Sequence, residues 1–364
     1  MANLVSWITL SESLLSGLAA MIVVAGVVLS PLGVWLRRRL RSAEIGVKTP
    51  ELASASAGSG TRDPVLNEAN PSDRPTRMTL QSLTAPGAYE TKFAISDGVR
   101  IAYNERGQAQ PNIVIVPGIV SHLHMMSNLP AIRSVMELLS HCGRVLLFDK
   151  RGMGLSDPTL NTPTLADRCH DIDAVMNAAG AAKGIVIGFS EGGPICLSFA
   201  HANPDRVQGL ILVGTAARWL QSEDYPIGIP ARVLEQTSVV WGTGTMRNIL
   251  FPSLSQDEVD DATYKAFEKL IANRTTMRQV IDTMITTDVR SLLPEIHVPT
   301  LVIHFVGDLA VPVRLGRALA EGLPNAEFLE VNGVDHADFS HSALAIERIR
   351  SFIEQYGGAS VSSN

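Results

Sequence analysis

Five short runs in this chain are almost purely apolar: "NIVIVPG" from Asn112, "GRVLLFDKRG" from Gly143, "KGIVIGFS" from Lys183, "VQGLILVGT" from Val207 and "PTLVIHFVGD" from Pro299. A strand with one face in water alternates apolar and polar residues, whereas a strand covered on both faces does not. These runs therefore read as strands of a buried, mostly parallel sheet. Helix-like segments separate them, at Leu129–Ser140, Leu165–Ala179 and Gly192–His201. Strands alternating with helices imply an α/β fold, a doubly wound sheet with helices on both faces. With 46% hydrophobic and 18% charged residues, the chain can fill such a core. Ahead of the first run, "YETKFAISDG" and "VRIAYNERG" alternate and meet through Asp97-Gly98, the pattern of a hairpin.

One interval breaks the rhythm. Between the strand ending near Thr215 and the one starting near Thr300, residues 216–298 read as several helices carrying Trp219, Trp241, Met246, Phe251, Tyr264 and Met284. So long a span is expected to be an inserted helical lid over the strand ends, shaping an apolar pocket.

The N-terminal part follows another pattern. Leu14–Leu36 carries no charge, and as a helix at ~1.5 Å per residue it would be roughly 34 Å long, enough to cross a bilayer. Trp35 sits at one end, where an interfacial aromatic belongs, and Arg37, Arg38, Arg39 and Arg41 follow at once. A cleaved signal peptide would place positive charge before the apolar run, and Met1–Ser13 has none. A core helix is rarely so uniformly apolar. Residues 1–41 are thus expected to be a single-pass membrane anchor, with the domain on the cytoplasmic side by the positive-inside tendency. Residues 42–86, including "ASASAGSG", have the composition of a flexible linker. Residues 87–357 form the expected catalytic domain, and 358–364 a disordered tail.

A net charge of −6 without a basic face argues against nucleic acid as a partner. Cys142, Cys169 and Cys196 are odd in number and widely spaced, which gives neither a disulfide framework nor a zinc site. No metal or organic cofactor is expected.

The candidate site begins at Gly188-Phe189-Ser190-Glu191-Gly192. A strand that turns abruptly into a helix brings backbone segments into close contact, where only small residues fit. The serine at the apex lies at a sheet's carboxyl edge and a helix N-terminus, which favours developing negative charge. This is the Gly-x-Ser-x-Gly elbow of a nucleophilic serine. A serine hydroxyl needs a base. His336, in "VNGVDHADF" after the expected last strand "AEFLEVNG" and before a helix from about Ser340 to Tyr356, is the best placed of nine histidines. Asp308, ending "TLVIHFVGD", is the candidate to orient it, and Asp335 reads as a loop-shaping residue. The backbone amides of Glu191 and of Ile119 are the candidate oxyanion donors.

Taken together, residues 88–356 resemble the α/β-hydrolase superfamily. The chain order Ser190, Asp308, His336 matches that family's order, and "DKRGMGLSD" (Asp149–Asp157) resembles its Asp-x-Arg-Gly-x-Gly-x-Ser segment. There Asp149 and Arg151 are expected to form a structural ion pair. "VPGIVSHLHM", "FSEGGP" and "GTAARW…DYPIG" resemble hydrolase-like modules attached to adenylate or guanylate cyclases, though no cyclase-like sequence follows Tyr356. Pro117-Gly118 stands where the family often has His-Gly, which bears on the second oxyanion donor. The resemblance implies the fold and the triad of Ser190, His336 and Asp308, and the leading expectation is a membrane-tethered serine hydrolase that cleaves a small apolar carboxylic ester through an acyl-enzyme. C–C hydrolysis or cofactor-free perhydrolysis on the same three residues, and a small-molecule sensing module with little catalysis, are the alternatives.

Overall fold

The computed structural model describes residues 77–336, 339 and 342–358. The expected membrane anchor, residues 42–76 of the expected linker and residues 359–364 of the tail lie outside the described residues. Among the described residues no helix is long and apolar enough to cross a membrane.

The strands are β1 (Lys92–Ser96), β2 (Val99–Arg106), β3 (Asn112–Val116), β4 (Arg144–Phe148), β5 (Gly184–Phe189), β6 (Val207–Val213), β7 (Thr300–Phe305) and β8 (Ala326–Val331). They form one sheet in the order β1-β2-β4-β3-β5-β6-β7-β8. The β1–β2 hairpin joins β4 antiparallel, and every pairing beyond β4 is parallel. The five apolar runs are β3 to β7, in the centre.

Helices cover both faces, and strand alternation divides the core between them. Val114, Leu146, Val186, Leu210 and Val302 face one layer. It holds α3 (Leu165–Ala178), α4 (Gly192–Ala202) and α9 (Val313–Gly322). Their neighbours Ile113, Ile115, Val145, Ile185, Ile211 and Leu301 face α2 (Pro130–Cys142) and α10 (Ala343–Gly357). Each such side chain stabilises the fold by about 1.5–3 kcal/mol when fully buried. A charge at Val114 or at Ile115 would be buried unpaired on either face, the most damaging single change. Helix α3 starts where Thr164 and Asp167 cap each other's orphan amides. Its buried positions Arg168, Asp171, Ile172, Val175 and Met176 follow the helical period.

The insert contains α5 (Ala231–Val240), α6 (Arg247–Leu250), α7 (Asp261–Ile271) and α8 (Arg274–Thr286). Trp219, Trp241, Met246, Tyr264 and Met284 are buried in one cluster with Val120, Leu129, Met153 and Leu315 of the main domain, and Phe251 packs against it. The insert is therefore seated on the main domain through a shared apolar core.

The linker expectation also changes at its end. Residues 77–86 carry a short helix, α1 (Leu80–Leu83), capped by Thr79, with Leu83 buried in the insert's cluster. The Met78 amide donates to the Glu258 carbonyl at 2.8 Å. The folded unit thus reaches back at least to residue 77.

Candidate functional site

Ser190 stands between β5 and α4 with φ at +50°, in the left-handed region that L residues rarely occupy. The turn leaves no room around it. A Cβ on Gly192 would lie 2.5 Å from the Val116 carbonyl oxygen, and one on Gly188 would lie 2.7 Å from Cys196 Sγ. The Ser190 amide donates to the Val213 carbonyl at 2.9 Å. Its own carbonyl accepts from Gly193 N at 3.0 Å and from Thr215 Oγ1 at 2.5 Å. The apex is therefore pinned from both sides, while among the described residues Ser190 Oγ makes no hydrogen bond.

Asp308 follows β7, and its Oδ1 accepts the amides of Ala310 at 2.8 Å and Val311 at 2.9 Å. Its Oδ2 faces His336 Nδ1 at 2.7 Å, with both side chains buried. A ring that gives Nδ1–H to a carboxylate presents Nε2 as the basic nitrogen. His336 Nε2 is buried with no hydrogen-bond partner among the described residues. The ring packs on Gly214, where a Cβ would lie 2.9 Å from Cε1. Gly214 directly follows Val213, the acceptor of the Ser190 amide, so serine and histidine border the same turn. His304 lies behind Asp308 at 3.8 Å and makes a 2.7 Å hydrogen bond to the Val311 carbonyl. Burial pulls its pKa down, against the Val311 carbonyl and the Asp308 charge that favour the protonated ring.

The histidine loop is also held by the insert. The His336 amide donates to the Leu250 carbonyl at 2.7 Å. Asp335 accepts the Ser253 amide at 2.8 Å and the Ser253 hydroxyl. Asp335 is thus a loop-shaping residue, and its partner lies in the lid.

The loop after β3 runs over the serine. A Cβ on Gly118 would lie 3.0 Å from Ser190 Cβ and 3.6 Å from Oγ. The backbone amides of Ile119 and Glu191 make no backbone hydrogen bond among the described residues. Beneath them lies a group of buried charges that sequence reading missed. Lys150 Nζ donates to the Gly118 carbonyl at 2.5 Å and to Glu191 Oε2 at 2.5 Å, and Arg168 Nη1 stands 3.4 Å from Glu191 Oε1. All three side chains are at most 5% exposed, so none can rely on water for its charge. Burial lowers the Lys150 pKa to about 8 against the pull of Glu191. For Glu191, burial opposes ionisation, but Arg168 and Lys150 outweigh it and hold the carboxyl below its usual value. One signal could have pointed here: a glutamate between Ser190 and Gly192 on a tight turn must be buried, and a buried carboxylate needs a cation.

The expected Asp149–Arg151 ion pair does not form. Arg151 turns toward α3 and grips Asp171, with Nη2 to Oδ1 at 2.7 Å and Nε to both oxygens at 3.0 Å. Asp149 turns the other way and accepts the amides of Leu123 at 3.2 Å and Leu155 at 2.8 Å. Each faces a different set of partners, because α3 supplies carboxylates on one side and the loop supplies bare amides on the other. Burial pushes the Asp149 carboxyl up to about 7.

A cavity of about 80 Å³ lies beside this loop, lined by Gly118, Val120, Leu123, Val135, Leu147 and Phe189 among others. Neither Ser190 nor His336 lines it, but Gly118 and Phe189 flank the serine. Cys142, Cys169 and Cys196 are free thiols. No cluster of metal-ligating side chains occurs among the described residues.

With this geometry in hand, comparison with known proteins is informative. A family model described as the alpha/beta hydrolase fold matches residues 111–342, more than half of the chain. A 2-hydroxy-6-oxononadienedioate/2-hydroxy-6-oxononatrienedioate hydrolase of Cupriavidus pinatubonensis is 27% identical over 284 residues, 73% of this chain and 95% of its own length. A pimeloyl-[acyl-carrier protein] methyl ester esterase of Neisseria meningitidis is 28% identical over 194 residues, 50% of this chain and 62% of that protein. The crystal structure of a bromoperoxidase from Bacillus anthracis superposes with a TM-score of 0.62 at 20% identity, covering 73% of this chain and all of that one. At that identity the likeness is one of fold.

Proposed function

The chain belongs to the alpha/beta hydrolase fold family, and on that premise we propose that it is a serine hydrolase cleaving a small apolar carboxylic ester through an acyl-enzyme on Ser190. The observation that carries the reading is the Asp308–His336 hydrogen bond at 2.7 Å, which leaves Nε2 as an unpartnered base in a ring packed on Gly214, next to the Val213 carbonyl that accepts the Ser190 amide. In the substrate complex Ser190 Oγ attacks the ester carbonyl and its proton passes to His336 Nε2. Asp308 holds the imidazolium in place. The oxygen that becomes negative is received by the amides of Glu191 and Ile119, at the positive end of α4. His336 then protonates the departing alcohol. Water then gives a proton to His336 Nε2 and attacks the acyl carbon, and as the bond to Oγ breaks His336 returns the proton to Ser190, freeing the acid.

The proposal includes tethering to a membrane by residues 1–41, with the domain on the cytoplasmic side. The Cupriavidus relative, matched over nearly its whole length, favours a second reading on the same residues, hydrolysis of a C–C bond beside a ketone. A panel of p-nitrophenyl esters of rising acyl length tests the first reading. The expected result is turnover that depends on Ser190. Turnover of a vinylogous diketone acid with none of any ester would support the second. No turnover of either, with well-folded protein, would fit a sensing module.

A further inference from the structure

We propose that Lys150 is a positioning residue for the oxyanion-stabilising amides: its ammonium ties the Gly118–Ile119 peptide to the side chain of Glu191, so that both N–H donors are held and polarised by one buried cation. This inference rests on the serine-hydrolase reading above.

The peptide group explains why the contact matters. The Gly118 carbonyl and the Ile119 N–H belong to one planar, conjugated unit. A cation on the carbonyl oxygen draws electron density from the nitrogen, which makes the opposite N–H a stronger donor. Lys150 Nζ lies 2.5 Å from that oxygen. The same ammonium lies 2.5 Å from Glu191 Oε2, and the Glu191 amide is the other proposed donor. One side chain therefore ties together both halves of the site.

Electrostatics points the same way. Lys150 and Arg168 carry two positive charges and Glu191 one negative, so the buried group has an excess of one positive charge. That excess is buried beside the Gly118 carbonyl, in a region where charges are weakly screened. A neutral residue in place of Glu191 would pack as well on this turn, but it would leave nothing to draw Lys150 under the elbow. Arg168 touches the same carboxylate and makes no contact with Gly118. It balances charge without gripping the loop.

The test compares the full-length wild type with Lys150→Met, Arg168→Met and Ser190→Ala on a short-chain p-nitrophenyl ester, together with the rate of Ser190 phosphonylation by a fluorophosphonate. Removing one oxyanion donor costs about 10²–10³ in kcat. Lys150→Met is expected to lower kcat by about 10²-fold, with KM changed less than about threefold, and to slow phosphonylation in parallel. Arg168→Met is expected to cost at least about tenfold less in kcat than Lys150→Met. Retention of kcat in folded Lys150→Met overturns the proposal. So does an equal loss in both variants, or a loss confined to KM, either of which marks a role in packing alone. If Lys150→Met does not fold, Lys150→Gln, which offers Gly118 a neutral donor, is read in the same way. Absence of Ser190-dependent turnover and labelling in the wild type removes the hydrolase reading itself, a result distinct from normal turnover in the Lys150 variants.

Discussion

The strained turn at Ser190 makes a sharp prediction about stability. An L residue at φ +50° brings its Cβ too close to the following carbonyl, which costs about 1–2 kcal/mol. Alanine keeps that Cβ and therefore the strain. Glycine removes it, but loses about 0.5–1 kcal/mol more backbone entropy on folding. Ser190 Oγ holds no hydrogen bond among the described residues, so loss of the hydroxyl itself changes little. Taking the middle of each range, Ser190→Gly should be more stable than Ser190→Ala by about 0.7 kcal/mol. For a domain of this size that is a rise in Tm of about 1–3 °C. Both variants should lose turnover by a factor on the scale of 10⁶, as seen when a serine protease loses its nucleophile. The assay is urea unfolding of the detergent-solubilised full chain, with the midpoint compared at constant m. Equal midpoints for the two variants, or a lower one for Ser190→Gly, would refute the claim that the elbow stores strain in the ground state.

Three further outcomes follow from the same contacts. Asp308→Asn should fold normally yet lower kcat by about 10⁴-fold, because an amide can stabilise the wrong imidazole tautomer; steady-state kinetics with an unchanged circular dichroism spectrum checks this. Asp335→Ala removes the acceptor of both Ser253 groups, each bond to a charged group being worth about 1.5–3 kcal/mol. It should lower kcat and expose the segment around Ser253 to limited proteolysis, with the central sheet still protected. Asp149, with its folded pKa raised to about 7, binds a proton in the folded state that the unfolded state releases above the ordinary carboxylate range. Its contribution is fully present below about pH 4 and is lost as pH rises through about 7. Wild-type stability should thus fall by up to about 1.4 kcal/mol per pH unit across that window from this group alone. Asp149→Asn should flatten that part of the profile in urea titrations, and an unchanged slope would show that the carboxyl is ionised in the fold.

Much of the fold was legible because burial on both faces removes the alternation that other strands show. Runs such as "TLVIHF" left few alternatives, and the glycines around Ser190 marked a turn too tight for side chains. The rest depends on contacts between distant segments. "DKRG" shows three charges in a row but not which way each side chain turns. Arg151 found Asp171 on α3, Lys150 found Glu191 just before α4, and Asp149 found bare amides. Helix α1 was hidden because four residues amid Ser, Thr and Pro give no period, and what holds it is contact with distant segments: Leu83 in a core shared with Leu129 and Phe267, and the Asn128 side-chain amide on the Leu83 carbonyl.

The central claim is that Ser190 is made nucleophilic by His336. Treating the full-length chain with a fluorophosphonate and mapping the adduct by peptide mass spectrometry tests it most directly. The account predicts one adduct, on Ser190, absent in Ser190→Ala and formed far more slowly in His336→Ala. Folded wild type that takes up no label, or that labels at the same rate without the imidazole, would contradict it.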